Sequence, residues 1–199
     1  MNERERSIMI GTILGDAFLQ KTGQKNARLR LEHSSKQKEY IFWKWRELKR
    51  YLQDVPKYIE RFNPVWKKQY AYYRCQSHAS RELGKLQAMF YNEHRKQIPI
   101  TIKKILKPLA LATWFMDDGY YNRRDRAADI YLSPFLDEDI RRLQDMFAEN
   151  FDLHPRLLKK THGLNFRFSA AETKKLCSII APHIIKSMRY KIGEEPRID

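Results

Sequence analysis

The feature that most constrains how this chain can fold is that it lays out one structural plan twice. Residues 7–18 read Ser-Ile-Met-Ile-Gly-Thr-Ile-Leu-Gly-Asp-Ala-Phe, and residues 109–120 read Leu-Ala-Leu-Ala-Thr-Trp-Phe-Met-Asp-Asp-Gly-Tyr. Both are apolar runs of helical length, rich in small residues, that finish on an aspartate. A short basic turn follows each, and then an alternating segment: Ala27 to Glu32 in the first copy, Ala128 to Ser133 in the second. Strict period-two alternation predicts a strand with one dry and one wet face. Amphipathic helices are expected next, over Glu39 to Leu52 and Leu136 to Phe151. Pro56 and Pro155 then open two-strand stretches ending in Gln69 to Gln76 and Leu164 to Ser169. Closing helices are expected over about Ser80 to Glu93 and Ala170 to Ile180, each trailed by an isoleucine-and-lysine segment, residues 95–98 and 189–192. The order helix, two strands, helix, two strands, helix thus occurs twice. It predicts an α+β chain of two pseudo-symmetric αββαββα halves, residues 1–97 and 98–199.

The aspartates that end the two apolar runs are the first candidates for chemistry. Gly11 and Gly15 lie one helical turn apart on one face. Each glycine costs about 1 kcal/mol in a helix interior, so two in one short helix point to close approach by another backbone. Ala110, Ala112 and Thr113 offer a matching small surface. Packing these helices side by side would bring Asp16 beside Asp118. Carboxylates at helix C-termini face the negative end of the macrodipole, and two close together repel. A divalent cation with hard oxygen ligands removes both penalties, and Mg²⁺ suits such a site. Taken alone, either aspartate reads as an ordinary helix-end or turn residue; matching places in a repeat favour metal, in an arrangement suited to phosphodiester cleavage.

Composition narrows the partner. The 199-residue chain carries 39 Lys and Arg against 24 Asp and Glu, a formal charge of +15. Such an excess implies a polyanion, with duplex DNA or structured RNA ahead of a membrane surface. No apolar segment reaches spanning length, and the charged N-terminus is not signal-like, so a cytoplasmic, nucleoid or organellar-matrix setting without secretion is expected. Cys75 and Cys177 read as reduced core residues. The six histidines lack metal-ligand spacing, which argues against a zinc enzyme.

These residues resemble the LAGLIDADG homing endonucleases, in the single-chain form with two motif copies. Residues 10–17, Ile-Gly-Thr-Ile-Leu-Gly-Asp-Ala, resemble the first motif, and residues 114–119, Trp-Phe-Met-Asp-Asp-Gly, a variant of the second. Lys96-Gln97-Ile98-Pro99 and Met188-Arg189-Tyr190-Lys191 also look familial. The resemblance runs from about residue 7 to residue 193. It implies motif helices at a central interface lined by Gly11, Gly15 and Ala112, with antiparallel sheets forming a DNA-binding saddle. It further implies metal held by Asp16 and Asp118, helped by the Gly15 and Asp117 carbonyls, with Mg²⁺ replaceable by Mn²⁺. Asp118 is preferred to Asp117 because it directly precedes Gly119. Lys96 and Lys191 would be the basic residues of two catalytic pockets. Ala17 replaces a frequent glycine, and Leu14 and Met116 stand where an acid is frequent; neither change removes a ligand.

On this reading the wet strand faces recognise bases. Arg28, Arg30, Glu32, Tyr70, Tyr72, Arg74 and Gln76 would contact DNA in the first half, and Asp129, Tyr131, Ser133, Asn165, Arg167 and Ser169 in the second, with Lys159 nearby. Arginine, asparagine and glutamine suit bidentate contacts to purine edges. Lys36, Lys38, Lys44, Lys67, Lys68, Arg123, Arg124, Arg126, Lys159 and Lys160 would meet phosphates. A monomer with unlike halves can read a long asymmetric site, and the family implies cuts in both strands with short 3′ overhangs. Two alternatives stay open: an intron-RNA-binding maturase on the same fold, and a DNA-binding regulator without chemistry. Beginning at Met1 without a self-splicing block, the chain is expected to be intron-encoded and freestanding rather than intein-embedded.

Overall fold

The computed structural model describes residues 1–160 and 163–194. The chain groups into two compact units, residues 1–15 with 88–199, and residues 16–87. In chain order the elements are α1 (Glu3–Leu14), β1 (Phe18–Lys21), β2 (Ala27–Ser34), α2 (Lys38–Glu47), β3 (Lys57–Asn63), β4 (Lys68–Gln76) and α3 (Arg81–Phe90). After the hairpin β5 (Tyr91–Asn92) and β6 (Arg95–Lys96) and the single turn α4 (Ile102–Ile105), the series repeats. It runs α5 (Pro108–Asp118), β7 (Gly119–Asn122), β8 (Ala127–Leu132), α6 (Asp137–Phe151), β9 (Arg156–Lys160), β10 (Gly163–Phe168) and α7 (Ala170–Ile180). The αββαββα plan is present twice, as the repeat predicts, and each copy contains an antiparallel sheet of the same topology, β1-β2-β4-β3 and β7-β8-β10-β9.

Several boundaries differ from expectation for local reasons. α1 begins at Glu3, earlier than the apolar run suggests, because Asn2 caps it: the Asn2 side chain accepts from the Glu5 amide, and the Glu5 carboxylate accepts from the Asn2 amide. It also stops at Leu14, so Asp16 follows the helix rather than ending it. The stretches read as basic turns contain the edge strands β1 and β7, too short to show alternation. α3 ends at Phe90, and the expected last turn is the β5–β6 hairpin instead, with Glu93 in the left-handed region at its tip.

In the unit of residues 16–87, β2 alternates as predicted: Ala27, Leu29 and Leu31 are buried, and Arg30, Glu32 and Ser34 exposed. α2 covers the dry face, bringing Tyr40, Ile41 and Leu48 into the core. In the other unit α7 packs on β8 and β10, and the core centres on Phe147 of α6. Its ring meets Phe166 at 5.7 Å and Phe168 at 5.4 Å edge to face, and stacks on Trp114 of α5 at 6.1 Å. Such rings carry much of a core's burial and add a geometric preference of their own. Cys75 is buried and Cys177 partly so, both as free thiols, and burial pushes them up to about 12 and about 11. Replacing Phe147 by Ala is expected to cost about 3–5 kcal/mol in urea unfolding, since four ring contacts, that with Phe151 included, vanish and a cavity remains.

Candidate functional site

α1 and α5 belong to one unit and pack closely. A β-carbon on Gly11 would lie 2.2 Å from the Ala110 carbonyl oxygen and 2.6 Å from Thr113 Cβ; one on Gly15 would lie 2.4 Å from Asp117 Oδ2. Both expected interface glycines therefore meet α5 directly. Ala112 is fully buried but is not among the atoms nearest to either glycine. At the far end of this contact the residue before Asp16 packs against the residue before Asp118.

Two lysines close these helix ends in the same manner. Lys96 on β6 donates through Nζ to the Gly15 carbonyl at 2.6 Å. Lys191, in a 3₁₀ segment over residues 186–192, donates to the Asp117 and Gly119 carbonyls at 3.0 and 2.8 Å. Neither helix has a basic residue in its last turn, so these distant lysines supply the cation that the helix dipole favours there. The carbonyls considered as metal ligands thus already accept an ammonium, and each keeps a second lone pair. Asp118 is half-buried and accepts from Trp114 Nε1 at 3.1 Å; the Asp117 side chain is buried against Gly15.

Within the unit of residues 16–87, Asp16 is 45% exposed. It lines an open hollow of about 560 Å³ with Glu32, His33, Gln37, Arg61 and Tyr70. The acid and the wet sheet face therefore share one concavity. Across that face Arg30 pairs in register with Phe18 and Gln76, Glu32 with Arg74, and Ser34 with Tyr72. Arg74 grips Glu32 Oε2 through Nε and Nη2 at 2.8 and 2.6 Å. Tyr72 is buried, with the Arg61 and Arg74 guanidinium groups 5.2 and 5.6 Å from its ring centre. Arg30 is exposed and Arg28 half-buried, and among the described residues neither has a carboxylate partner. Tyr70 is exposed and Gln76 half-buried, its Nε2 donating to Gln53 at 3.1 Å.

The second sheet differs in electrostatics. Asp129 lies on the expected face but is only 2% exposed, because Lys160 and Arg167 close over it at 3.0 and 3.5 Å. Arg167 also reaches Asp125 at 2.6 Å, and the Arg124 and Arg167 guanidinium groups hold the Asp125 carboxyl below its usual range. Asn165 is buried between strands, Tyr131 is exposed, and Ser133 falls just beyond β8. Lys159 pairs with Leu164 and so shares the face of Phe166, while Lys160 occupies the polar face. Gly119, Tyr120, Arg123, Tyr190 and Lys191 line a second hollow of about 750 Å³.

Burial removes Lys44 from the expected phosphate contacts, as it removes Asn165 and Asp129 from the exposed sheet face. Lys44 is fully buried on α2 and reaches no solvent, so it meets no phosphate. Its spacing from Tyr40 and Leu48, one turn on either side, could have placed it on the core face. His33 was also overlooked, although it continues the dry register of Leu29 and Leu31 and lines the Asp16 hollow.

The sequence profile of the LAGLIDADG DNA endonuclease family matches residues 6–176. The chain belongs to this family. Relatives of the chain include the probable intron-encoded endonuclease 1 of Wickerhamomyces canadensis, 26% identical over 96% of this chain and 85% of that protein. RecA of Mycolicibacterium fallax is 24% identical over 96% of this chain, and the chain spans about half, 47%, of that relative's length. Among solved structures, the homing endonuclease I-WcaI bound to its DNA recognition sequence shares the fold at a TM-score of 0.88, with 22% identity over 99% of this chain and 88% of that one. Because a β-carbon at position 11 would strike backbone rather than a flexible side chain, Gly11→Ala is expected to lower stability by about 1–3 kcal/mol despite alanine's better helix propensity. Chemical denaturation of the two proteins measures this.

Proposed function

We propose that this LAGLIDADG protein is a site-specific endonuclease that cuts both strands of duplex DNA, using divalent metal held by Asp16 and Asp118. The observation that carries the reading is the matched chemistry at the two motif ends. At each, a lysine from outside the helix holds the carbonyl just before the acid, Lys96 on Gly15 and Lys191 on Asp117. That equivalence also supports Asp118, rather than Asp117, as the counterpart of Asp16. The donor set is carboxylate and carbonyl oxygen, which fits Mg²⁺ and tolerates Mn²⁺. When bound, the metal would lower the pKa of a water and polarise the scissile phosphate.

The chain's own residues would do the rest. Lys96 and Lys191 place positive charge beside the acids, where it can stabilise developing phosphate charge. Arg28 and Arg30 present donors from the wet face of β2, in the geometry a β-ribbon offers to a major groove. The exposed Lys36, Lys67 and Lys68, with Arg123, Arg124 and Arg126, would position the duplex through phosphates. A long asymmetric target, monomeric action and short 3′ overhangs complete the proposal. The Wickerhamomyces relative and the DNA-bound I-WcaI support its direction.

Cleavage of a randomised duplex library with Mg²⁺, followed by sequencing of the ends, tests it; recurrent cuts at one long sequence with short 3′ overhangs are expected. Asp118→Asn should reduce cutting by about 10²-fold or more, as loss of a metal ligand removes several kcal/mol of transition-state stabilisation, while duplex binding persists. Unchanged cleavage by that variant would reject the assignment. Log affinity should fall linearly with log salt, by about 0.9 for each phosphate neutralised; a flat line would rule out the groove arrangement. Structured RNA of equal length should compete poorly, and strong competition would favour the maturase alternative.

A further inference from the structure

The buried Lys44 has a partner set that a mere core residue does not need. Its side chain is 0% exposed, and its Nζ lies 3.1 Å from Nε2 of His33 and 4.5 Å from the centre of the Tyr40 ring. His33, 3% exposed, packs its imidazole 4.9 Å from the same Tyr40 ring. The other imidazole nitrogen, Nδ1, lies 3.6 Å from Asp16 Oδ2. Lys44, His33 and Asp16 thus form a line from the core to the hollow, and all three lie in the unit of residues 16–87.

Elementary hydrogen-bond chemistry fixes the direction of this line. The face of Tyr40 favours a cationic Lys44, and an ammonium has donors but no acceptor. The Nε2 atom that meets it must therefore present a lone pair. A neutral imidazole with its lone pair on Nε2 carries its proton on Nδ1, the nitrogen facing Asp16. Methionine would fill a similar volume without a desolvated charge, so a lysine at this place needs a purpose other than packing.

We propose that Lys44 is a positioning residue that locks His33 in the Nδ1–H tautomer, so that His33 turns an N–H dipole toward the Asp16 carboxylate, 3.6 Å away, and biases its orientation by charge–dipole attraction rather than serving as a metal ligand. The relevance to metal rests on the function proposed above, whereas the tautomer is a property of the metal-free protein. A partner of this kind fixes the rotamer of an acid before the cation arrives, and removing such partners typically weakens metal binding by about 10–100-fold.

Nitrogen-15 NMR of the histidine side chains in the metal-free, full-length protein tests the tautomer directly, with His33→Gln identifying the resonance. The wild type is expected to show His33 protonated at Nδ1; protonation at Nε2 overturns the proposal without recourse to any lysine variant. Lys44→Met should shift His33 toward the Nε2–H form and weaken Mg²⁺ binding by about 10–100-fold in calorimetry, and Lys44→Arg, which keeps a donor, should restore both in part. An unchanged tautomer in Lys44→Met, or a changed tautomer with unchanged Mg²⁺ affinity, overturns the positioning role. Failure of the nuclease reading would show separately, as unaltered cleavage by Asp118→Asn.

Discussion

The contact of α1 with α5 through glycine underlies everything else in this structure. At Gly11 the Ala110 carbonyl sits where a β-carbon would be, and at Gly15 the Asp117 carboxylate does. Dispersion attraction grows only where surfaces touch, so two smooth helix flanks gain most by meeting at backbone distance. That approach puts the ends of both motif helices at one place and leaves their last carbonyls for Lys96 and Lys191. Gly11, which weakens α1 as an isolated helix, and Gly15, its C-cap, thereby fix where the C-terminus of α1 lies.

The two copies of the plan have diverged mainly in charge. On the first sheet Arg28 and Arg30 keep guanidinium groups without carboxylate partners among the described residues, whereas Arg74 is tied to Glu32 and Lys57 to Asp54. On the second, Lys160 and Arg167 are drawn over the buried Asp129, and Arg167 is shared with Asp125. A cation already paired with a carboxylate has fewer free donors and less uncompensated charge to offer a phosphate or a base edge. The first sheet is therefore the more available anion-binding surface, and the second the more internally satisfied one. The difference arises from two acids at positions where the first copy offers none, not from any change in strand order.

Much of this was legible in the linear chain. Repetition of the apolar runs gave the αββαββα plan, and period two in residues 27–32 assigned the dry and wet faces of β2 correctly. Spacing of Gly11 and Gly15 announced a close helix partner, which α5 is. Less was legible where a residue's neighbours come from distant sequence. Asp129 follows the strand pattern, yet Lys160 and Arg167 bury it. Lys44 reads as surface charge because lysine ordinarily is, yet it is buried, with its Nζ over the ring of Tyr40 and beside His33.

By itself, then, the sequence determined the periodic part of this protein: which segments are helices and strands, that they come in two sets, and which side of β2 is dry. Periodicity and propensity act over a few residues and are written locally. Tertiary structure alone decided which donor meets which acceptor. Lys96 reaches Gly15 across 81 positions of the chain and Lys191 reaches Asp117 across 74. Such pairings depend on distances within the folded chain, which no local pattern encodes, because a side chain's charge is fixed by its identity but its partner only by where the backbone brings it.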